Sequence, residues 1–325
     1  MSKRATHFTQ GGVQLDARIT KQRLGNMLSY DWLKILLAIG AAVAVLCILF
    51  TMIGTRPTTA QEYEIVAFGP LQNGEGNARF IEELGDVFSY EILSRGEEQI
   101  NFDNSGTQVL MARRAAGVGT AVFAPDYART EGAQTAFGYL CEFGLQGAGT
   151  ENEKISSFLD MKTYFPACEK YVAQYFGENW ETNEQIDMAR VRADFLARNK
   201  KDKRFRYSSK KREAGILLEQ KRLEALREDY LVVRKAFEEK ILTVAYYTHV
   251  ELDEEGVDHG TGIEHAVGIN VGALDGMKKI YCYTDNDGNR VADEIKLLLF
   301  DNGEKTEYTR YETVSLLRHL IENYS

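Results

Sequence analysis

An unbroken apolar segment near the amino terminus constrains this chain more than any other feature. Residues 35–53 form a run of nineteen residues without a charged side chain. At about 1.5 Å of rise per residue, a helix of this length matches a bilayer hydrocarbon core of about 30 Å. We therefore predict a transmembrane helix at 34–54, between a polar leader at 1–33 and a linker at 55–62.

The charges that flank this segment predict its orientation. Six Lys or Arg side chains precede the apolar run, against Asp16 and Asp31, and positively charged flanks stay in the cytoplasm. The predicted protein is therefore a single-pass cell-membrane protein, with a cytoplasmic leader and an extracytoplasmic domain at 63–325. A cleaved signal peptide is the alternative, but its apolar region usually spans only about 7–15 residues.

The predicted extracytoplasmic part is acidic, with a net charge of −14 after residue 56. This charge argues against nucleic acid as a partner, because binding phosphates requires a basic face. Its three cysteines, Cys141, Cys168 and Cys282, are too few and too isolated to form a disulfide framework. A Cys141–Cys168 bridge and three buried free thiols remain alternatives.

Segments of strand and helix type alternate between residues 63 and 124. The predicted strands are 63–68, 90–93 and 120–124, with helices at 80–88 and 103–116 between them. This alternation is typical of an α/β domain built on a parallel, doubly wound sheet. In such sheets ligands bind at the loops that follow the carboxyl ends of the strands, and here those loops are 69–76, 94–104 and 125–129.

Several of these segments resemble the extracytoplasmic solute-binding proteins of ABC importers. The resemblance rests on LMARRAAGVG at 110–119, which leads into TAVFAPDYA at 120–128, and on HAVGINVG, EIKLLLF and a closing helix in the last 61 residues. In that family such a strand delivers an Asp to the ligand cleft, and Asp126 stands in that place.

The resemblance implies a two-lobed, periplasmic-binding-protein-like fold. Lobe 1 would comprise 63–126 and the carboxyl-terminal return at 265–325, and lobe 2 would comprise 127–264. A cleft between the lobes would bind a small polar solute, such as a sugar, for an ABC transporter permease or a sensor complex. The predicted ligand-binding residues are Gly69, Gln72, Asn73, Asp126, Tyr127 and Trp180.

Residues 184–245 carry two apolar stripes that predict a pair of antiparallel helices, inserted in lobe 2 and projecting from it. The predicted tip of this hairpin, 198–212, contains nine basic residues and one acidic residue. Such a tip suits anionic lipid headgroups, an anionic wall polymer or an acidic partner, and a solvated hairpin end is the alternative. The rival functional hypothesis is a non-enzymatic scaffolding subunit that binds a partner through this hairpin.

Two acidic segments contain residue types that bind metals, but neither predicts a metal site. His249, His259 and His265 lie close to acidic residues, yet their spacing fits no metal-binding signature. Residues 283–294 place Asp285 and Gly288 as in an EF-hand, but Tyr283 occupies the first ligand position. We interpret this second segment as a strand-to-strand turn.

No catalytic motif is found in the sequence. The patterns GxSxG, GxxxxGK[ST] and HExxH are absent. The sequence therefore predicts a non-enzymatic protein without catalytic residues and without a cofactor.

Overall fold

The computed structural model describes residues 9–10, 13–14, 21–22, 25, 29, 32–53, 56–130, 132–301 and 305–325. The chain forms two compact units, 1–56 and 57–325. In the first unit, Thr9–Gln10 pairs with Val13–Gln14, and helix α1 spans Trp32–Ile53. Helix α1 confirms the predicted helix and is long and apolar enough to cross a membrane. Most of the predicted leader lies outside the described residues.

The second unit, hereafter the α/β domain, contains eleven strands and nine α-helices among its described residues. The strands are β1 (Glu62–Phe68), β2 (Gln72–Asn73), β3 (Ser94–Ile100), β4 (Ala121–Pro125), β5 (Leu145–Gln146), β6 (Lys154–Ile155), β7 (Thr243–Thr248), β8 (Glu264–Asn270), β9 (Tyr281–Thr284), β10 (Arg290–Val291) and β11 (Ile295–Leu299), where β5 and β6 form a separate two-residue pair. The helices are α2 (Asn77–Val87), α3 (Asn104–Ala116), α4 (Ala136–Gly144), α5 (Met161–Phe176), α6 (Met188–Arg198), α7 (Ser209–Glu238), α8 (Met277–Ile280), α9 (Glu307–Arg310) and α10 (Glu312–Tyr324).

The main sheet has six strands in the order β3-β1-β4-β11-β8-β7. Strand β1 pairs in parallel with both β3 and β4. The remaining pairs, β4–β11, β11–β8 and β8–β7, are all antiparallel. A smaller sheet joins β10, β9 and β2.

The domain is therefore α/β with a mixed sheet, and the prediction of a wholly parallel sheet was wrong. Only the segment in which strands and helices alternate forms parallel pairs, because parallel neighbours need a crossover connection. No helix lies between β7 and β8, and these strands pair antiparallel.

The prediction of the second strand at 90–93 was also wrong. The strand is β3, with the polar sequence SRGEEQI. Because β3 lies at the sheet edge and pairs only with β1, it does not need the apolar composition of a central strand.

The sheet is buried on both faces, as the alternation along β1 shows. Tyr63 and Ile65 belong to the larger core, whereas Val66 and Phe68 belong to the smaller core on the other face. Helices α2, α5, α7 and α10 contribute to the larger core, and α3 and α4 to the smaller one. A central strand covered on both faces reads as a continuous apolar run, which is why the sequence located β1 correctly.

The two predicted lobes share this one sheet and its larger core. Strand β7 comes from predicted lobe 2, and it lies in the same sheet as β1 from predicted lobe 1. Tyr164 and Tyr171 of α5 are buried in the same core as Tyr63 of β1. The two-lobed arrangement is therefore not confirmed by the structure.

The cysteines of the α/β domain are free thiols. Cys141, Cys168 and Cys282 are all buried. Cys141 belongs to the smaller core and Cys168 to the larger one, so the sheet separates these two side chains. Of the two alternatives that the sequence left open, the structure has the free thiols.

Helices α6 and α7 confirm the predicted hairpin, but they do not project from the domain. Val191 of α6 and Leu223 of α7 are fully buried in the larger core, and α7 packs along α10. The apolar stripes were correctly read, but they face the rest of the domain as well as each other.

Candidate functional site

A cleft of about 470 Å³ opens at the carboxyl ends of the three parallel strands. Gly69 follows β1, Asn101 follows β3, and Tyr127 lies two residues beyond β4; all three line the cleft. The chain leaves β1 toward β3 on one side and then returns to β4 on the other. Connections that diverge in this way leave a crevice between the strands, which is where open α/β sheets bind ligands.

Two aromatic side chains, Phe102 and Tyr127, line the cleft. The ring centroid of Phe102 lies 4.8 Å from that of Tyr139, and the ring of Tyr127 packs at 4.9 Å against Tyr283. Phe102 remains 40% exposed although it is an apolar side chain. Both rings are thus held by neighbours and still present surface to the cleft.

The cleft also contains polar groups of several kinds. Asn101, Arg129, Thr130, Gln134 and Thr284 are among its lining residues. Arg129 is exposed and forms no ion pair among the described residues, although the domain as a whole is acidic. An apolar wall with a few convergent polar groups is the usual composition of a small-molecule site.

Gly69 lines the cleft, and its backbone conformation explains why it is glycine. Its φ is +84°, a conformation that side chains rarely adopt. A Cβ at this position would lie 2.7 Å from the Cβ of Ala136 at the start of α4. Gly69 therefore lines the cleft, and its lack of a side chain also allows the close packing against Ala136.

Asp126, a predicted ligand-binding residue, does not line the cleft but contacts Thr135 next to it. Its Oδ1 accepts a hydrogen bond of 2.8 Å from the Thr135 hydroxyl. The same hydroxyl accepts a bond from the Gly138 N–H and so caps the amino terminus of α4. The cap positions Gln134 and Ala136, which line the cleft.

The other predicted ligand-binding residues lie outside the cleft lining. Gln72 contacts a residue that lines the cleft, because its side-chain amide donates to the hydroxyl of Thr284 over 3.4 Å. Asn73 pairs with Tyr281 in the smaller sheet. Trp180 is 3% exposed and packs against Tyr230 in the larger core, so a stacking surface is not available there.

The sequence analysis did not select several residues that line the cleft, although the sequence marks some of their positions. Phe102 and Arg129 fall inside the loops that were predicted to meet ligand, but neither was selected. Gln134 comes from the turn before α4, where Thr135 precedes the apolar sequence AFGYL. A capping residue before an apolar run marks a helix start, and this signal was overlooked.

The histidines of the acidic segment each contact a different carboxylate. His249 Nδ1 lies 2.8 Å from Glu142 Oε1, which also accepts a hydrogen bond from the Tyr247 hydroxyl. His265 Nε2 lies 2.9 Å from Glu153. Among the described residues, no three metal-ligating side chains converge.

Burial alone would lower the pKa of His249, because it penalises the charged ring. The hydrogen bond to Glu142 and the negative charge of that carboxylate outweigh this effect, so the pKa of His249 is raised. Glu142, Tyr247 and His249 line a shallow groove beside the cleft, and Gln134 lines both.

The segment that resembles a calcium loop is a turn between β9 and β10. The N–H of Asp285 donates to the carbonyl of Asn289, and Gly288 has a φ of +82°. Strands β9 and β10 pair on either side of it. These observations confirm the interpretation as a strand-to-strand turn.

A further cavity, of about 240 Å³, lies between α2, α7 and α10. Its two buried carboxylates, Asp229 and Glu312, already have protein partners. Asp229 accepts hydrogen bonds from Ser315 and Arg318, and Glu312 accepts two from Ser89. Because these two carboxylates already accept hydrogen bonds from the protein, this cavity is a weaker candidate for a ligand site than the cleft.

Comparisons of the chain with protein-family models, with curated proteins and with solved structures find no match. The geometry of the cleft is therefore the basis for assigning a function.

Proposed function

We propose that the α/β domain binds a small polar solute in the cleft at the carboxyl ends of β1, β3 and β4. The observation that carries this proposal is the position of the cleft. A volume of about 470 Å³ opens where the connections of the parallel strands diverge, and side chains of mixed chemistry line it. The cleft is formed by the loops of one sheet and does not require two lobes.

The lining favours a solute that has both a flat apolar face and polar substituents. Phe102 and Tyr127 offer ring faces for stacking, whereas Arg129 and Gln134 offer hydrogen-bond donors. Sugars combine these properties, and a sugar that carries a carboxylate would also pair with the guanidinium of Arg129. The proposed role is capture, without catalysis, for a membrane complex such as an ABC transporter permease, as the family resemblance implies.

We expect thermal-shift measurements against a panel of sugars, sugar acids, amino acids and short peptides to identify a ligand. A ligand at 100 times its Kd stabilises the folded state by about 2.7 kcal/mol, which corresponds to about 5–10 °C in a domain of this size. Replacing Phe102→Ala or Arg129→Gln should weaken binding at least about tenfold, because each change removes a stacking or charged contact.

Matched controls for this experiment are Tyr207→Ala and Arg192→Gln, which remove an exposed aromatic ring and an exposed guanidinium away from the cleft. These variants should bind the ligand as the unaltered protein does. If no compound in the panel stabilises the protein, or if the controls lose binding equally, the cleft is not the binding site.

We further propose that α1 anchors the protein in the cell membrane, with the leader in the cytoplasm and the domain outside. The length of α1 and the basic residues that precede it support this topology. Protease added to intact cells should then degrade the domain and spare the leader. A domain that survives until the cells are lysed would contradict the proposed orientation.

A further inference from the structure

The turn between α6 and α7 carries a dense set of basic side chains, and we call residues 198–212 the basic tip. Two of its arginines are directed inward. Arg198 and Arg204 are 14% and 16% exposed, and both pair with the buried carboxylate of Glu91, at 2.9 and 2.8 Å. These two ion pairs fasten the basic tip to the segment that precedes β3.

The remaining basic residues of the tip are exposed. They are Lys200, Lys201, Lys203, Arg206, Lys210, Lys211 and Arg212. The one acidic residue within the tip, Asp202, pairs with Arg204 at 2.8 Å. Tyr207, in the middle of the tip, is 75% exposed. The outer face of the tip is therefore strongly positive within a domain whose net charge is strongly negative.

The basic tip lies at the end of the sheet where the chain enters the domain. The N–H of Leu93, two residues after Glu91, donates to the carbonyl of Gln61 over 2.8 Å. Ser94 then pairs with Glu62 at the amino ends of β3 and β1. The cleft lies at the carboxyl ends of the same strands, so the basic tip and the cleft are at opposite ends of the sheet.

The most acidic loop at this end of the sheet lies far from the basic tip. The acidic loop 251–258 follows β7, at the edge of the sheet opposite to β3. Six strands spaced about 4.8 Å apart separate these edges by about 24 Å. This distance exceeds the Debye length of about 8 Å at physiological ionic strength, so the acidic loop does not cancel the positive potential of the tip.

We propose that the basic tip binds the anionic lipid headgroups of the membrane that α1 spans. Charge complementarity selects the headgroups, since clustered Lys and Arg side chains next to a membrane bind anionic lipids. Only residues 54–58 connect α1 to the first turn of the domain, which begins at Thr59. Since the cleft lies at the opposite end of the sheet, a contact through the basic tip leaves the cleft uncovered.

Lysine acetylation of the full-length protein in lipid nanodiscs tests this contact. One set of nanodiscs contains about 30% phosphatidylglycerol in phosphatidylcholine, and the other contains phosphatidylcholine alone. Lys200, Lys201 and Lys210 should react about fivefold or more slowly in the anionic nanodiscs, because each basic residue near an anionic surface is strongly attracted to it. The difference should disappear at about 1 M salt, where the Debye length is about 3 Å.

The same molecule supplies the control sites. Lys278 and Lys279 are an exposed lysine pair in the smaller sheet region, near the cleft end, where the carbonyl of Lys279 accepts from Gly76. Their reactivity should be equal in the two nanodiscs. In a Lys200→Gln and Lys201→Gln variant, Lys210 should lose most of its protection. A Lys278→Gln and Lys279→Gln variant should keep that protection.

Equal reactivity of the basic tip in the two nanodiscs would overturn the proposal. Protection that requires an added soluble polyanion, such as polyglutamate, and that anionic lipid alone does not produce, would also overturn it. The test does not depend on a ligand in the cleft, so its outcome is independent of the proposed solute binding.

Discussion

Replacing Glu219 with glutamine should lower the free energy of unfolding by about 3–5 kcal/mol, the largest effect that we expect of any single substitution. The carboxylate is 1% exposed. It accepts hydrogen bonds from Arg198 at 2.5 Å, from Arg222 at 2.8 Å and from the Tyr90 hydroxyl at 2.6 Å. The neutral amide leaves the buried guanidinium of Arg222 and the partly buried one of Arg198 with too little negative charge nearby. An unpaired charge in such surroundings is costly.

The same network predicts how stability changes with pH. Burial alone would raise the pKa of Glu219, but Arg222 and Arg198 outweigh it and lower the pKa to about 2. Since the folded-state pKa is below the unfolded value, the contribution of Glu219 is complete above about pH 4.5 and is lost as the pH falls from there toward 2. The glutamine variant should lack this part of the acid sensitivity.

Urea unfolding at pH 7 and at pH 3 measures both effects. The matched control is Glu213→Gln on the same helix, whose partner Arg192 is about half exposed. Exposed pairs contribute about 0–1 kcal/mol, so this variant should unfold close to the unaltered protein. Equal urea midpoints for the two variants would show that the buried network does not stabilise the domain.

Replacing Gly69 with alanine should destabilise the domain by about 2–5 kcal/mol, the second largest effect that we expect. Two costs combine at this position. A φ of +84° costs an L-residue about 1–2 kcal/mol, and the added Cβ would lie 2.7 Å from the Cβ of Ala136, which requires a shift of α4 and adds about 1–3 kcal/mol.

Two further variants separate these costs. Gly288 has nearly the same φ, +82°, and open space around it, so Gly288→Ala should cost only the backbone strain of about 1–2 kcal/mol. Combining Gly69→Ala with Ala136→Gly removes the clash, and the double variant should be more stable than the sum of the single effects predicts. Additive effects in thermal unfolding would exclude the clash.

Because Gly69 lines the cleft, its replacement should also impair ligand binding. Movement of α4 would displace Gln134 and the capping contact between Asp126 and Thr135. The unaltered cleft geometry therefore depends on a position at which only glycine fits without strain.

Local patterns in the sequence predicted the elements that are stabilised by one dominant interaction. The apolar run of α1 and the continuous apolar strand β1 are examples, and the apolar stripe in the second half of 184–245 located α7. The carboxyl-end loops were also predicted to hold the site, because three parallel strands place their loops at one edge of the sheet whatever their exact bounds. Gly69 and Tyr127 lie in the cleft for this reason.

Contacts between distant residues decided the rest. Strand β3 is polar and is specified by its pairing with β1, and Trp180 is a core residue because α7 covers it with Tyr230. The two inward arginines of the basic tip could not be told from the exposed ones, since Glu91 is 107 residues away from Arg198. Sequence alone thus determined the long apolar helix, the alternation of strands and helices and the acidic charge. Tertiary structure decided which charges are buried, which edge is basic and which side chains meet in the cleft, because these depend on packing between segments that local periodicity does not encode.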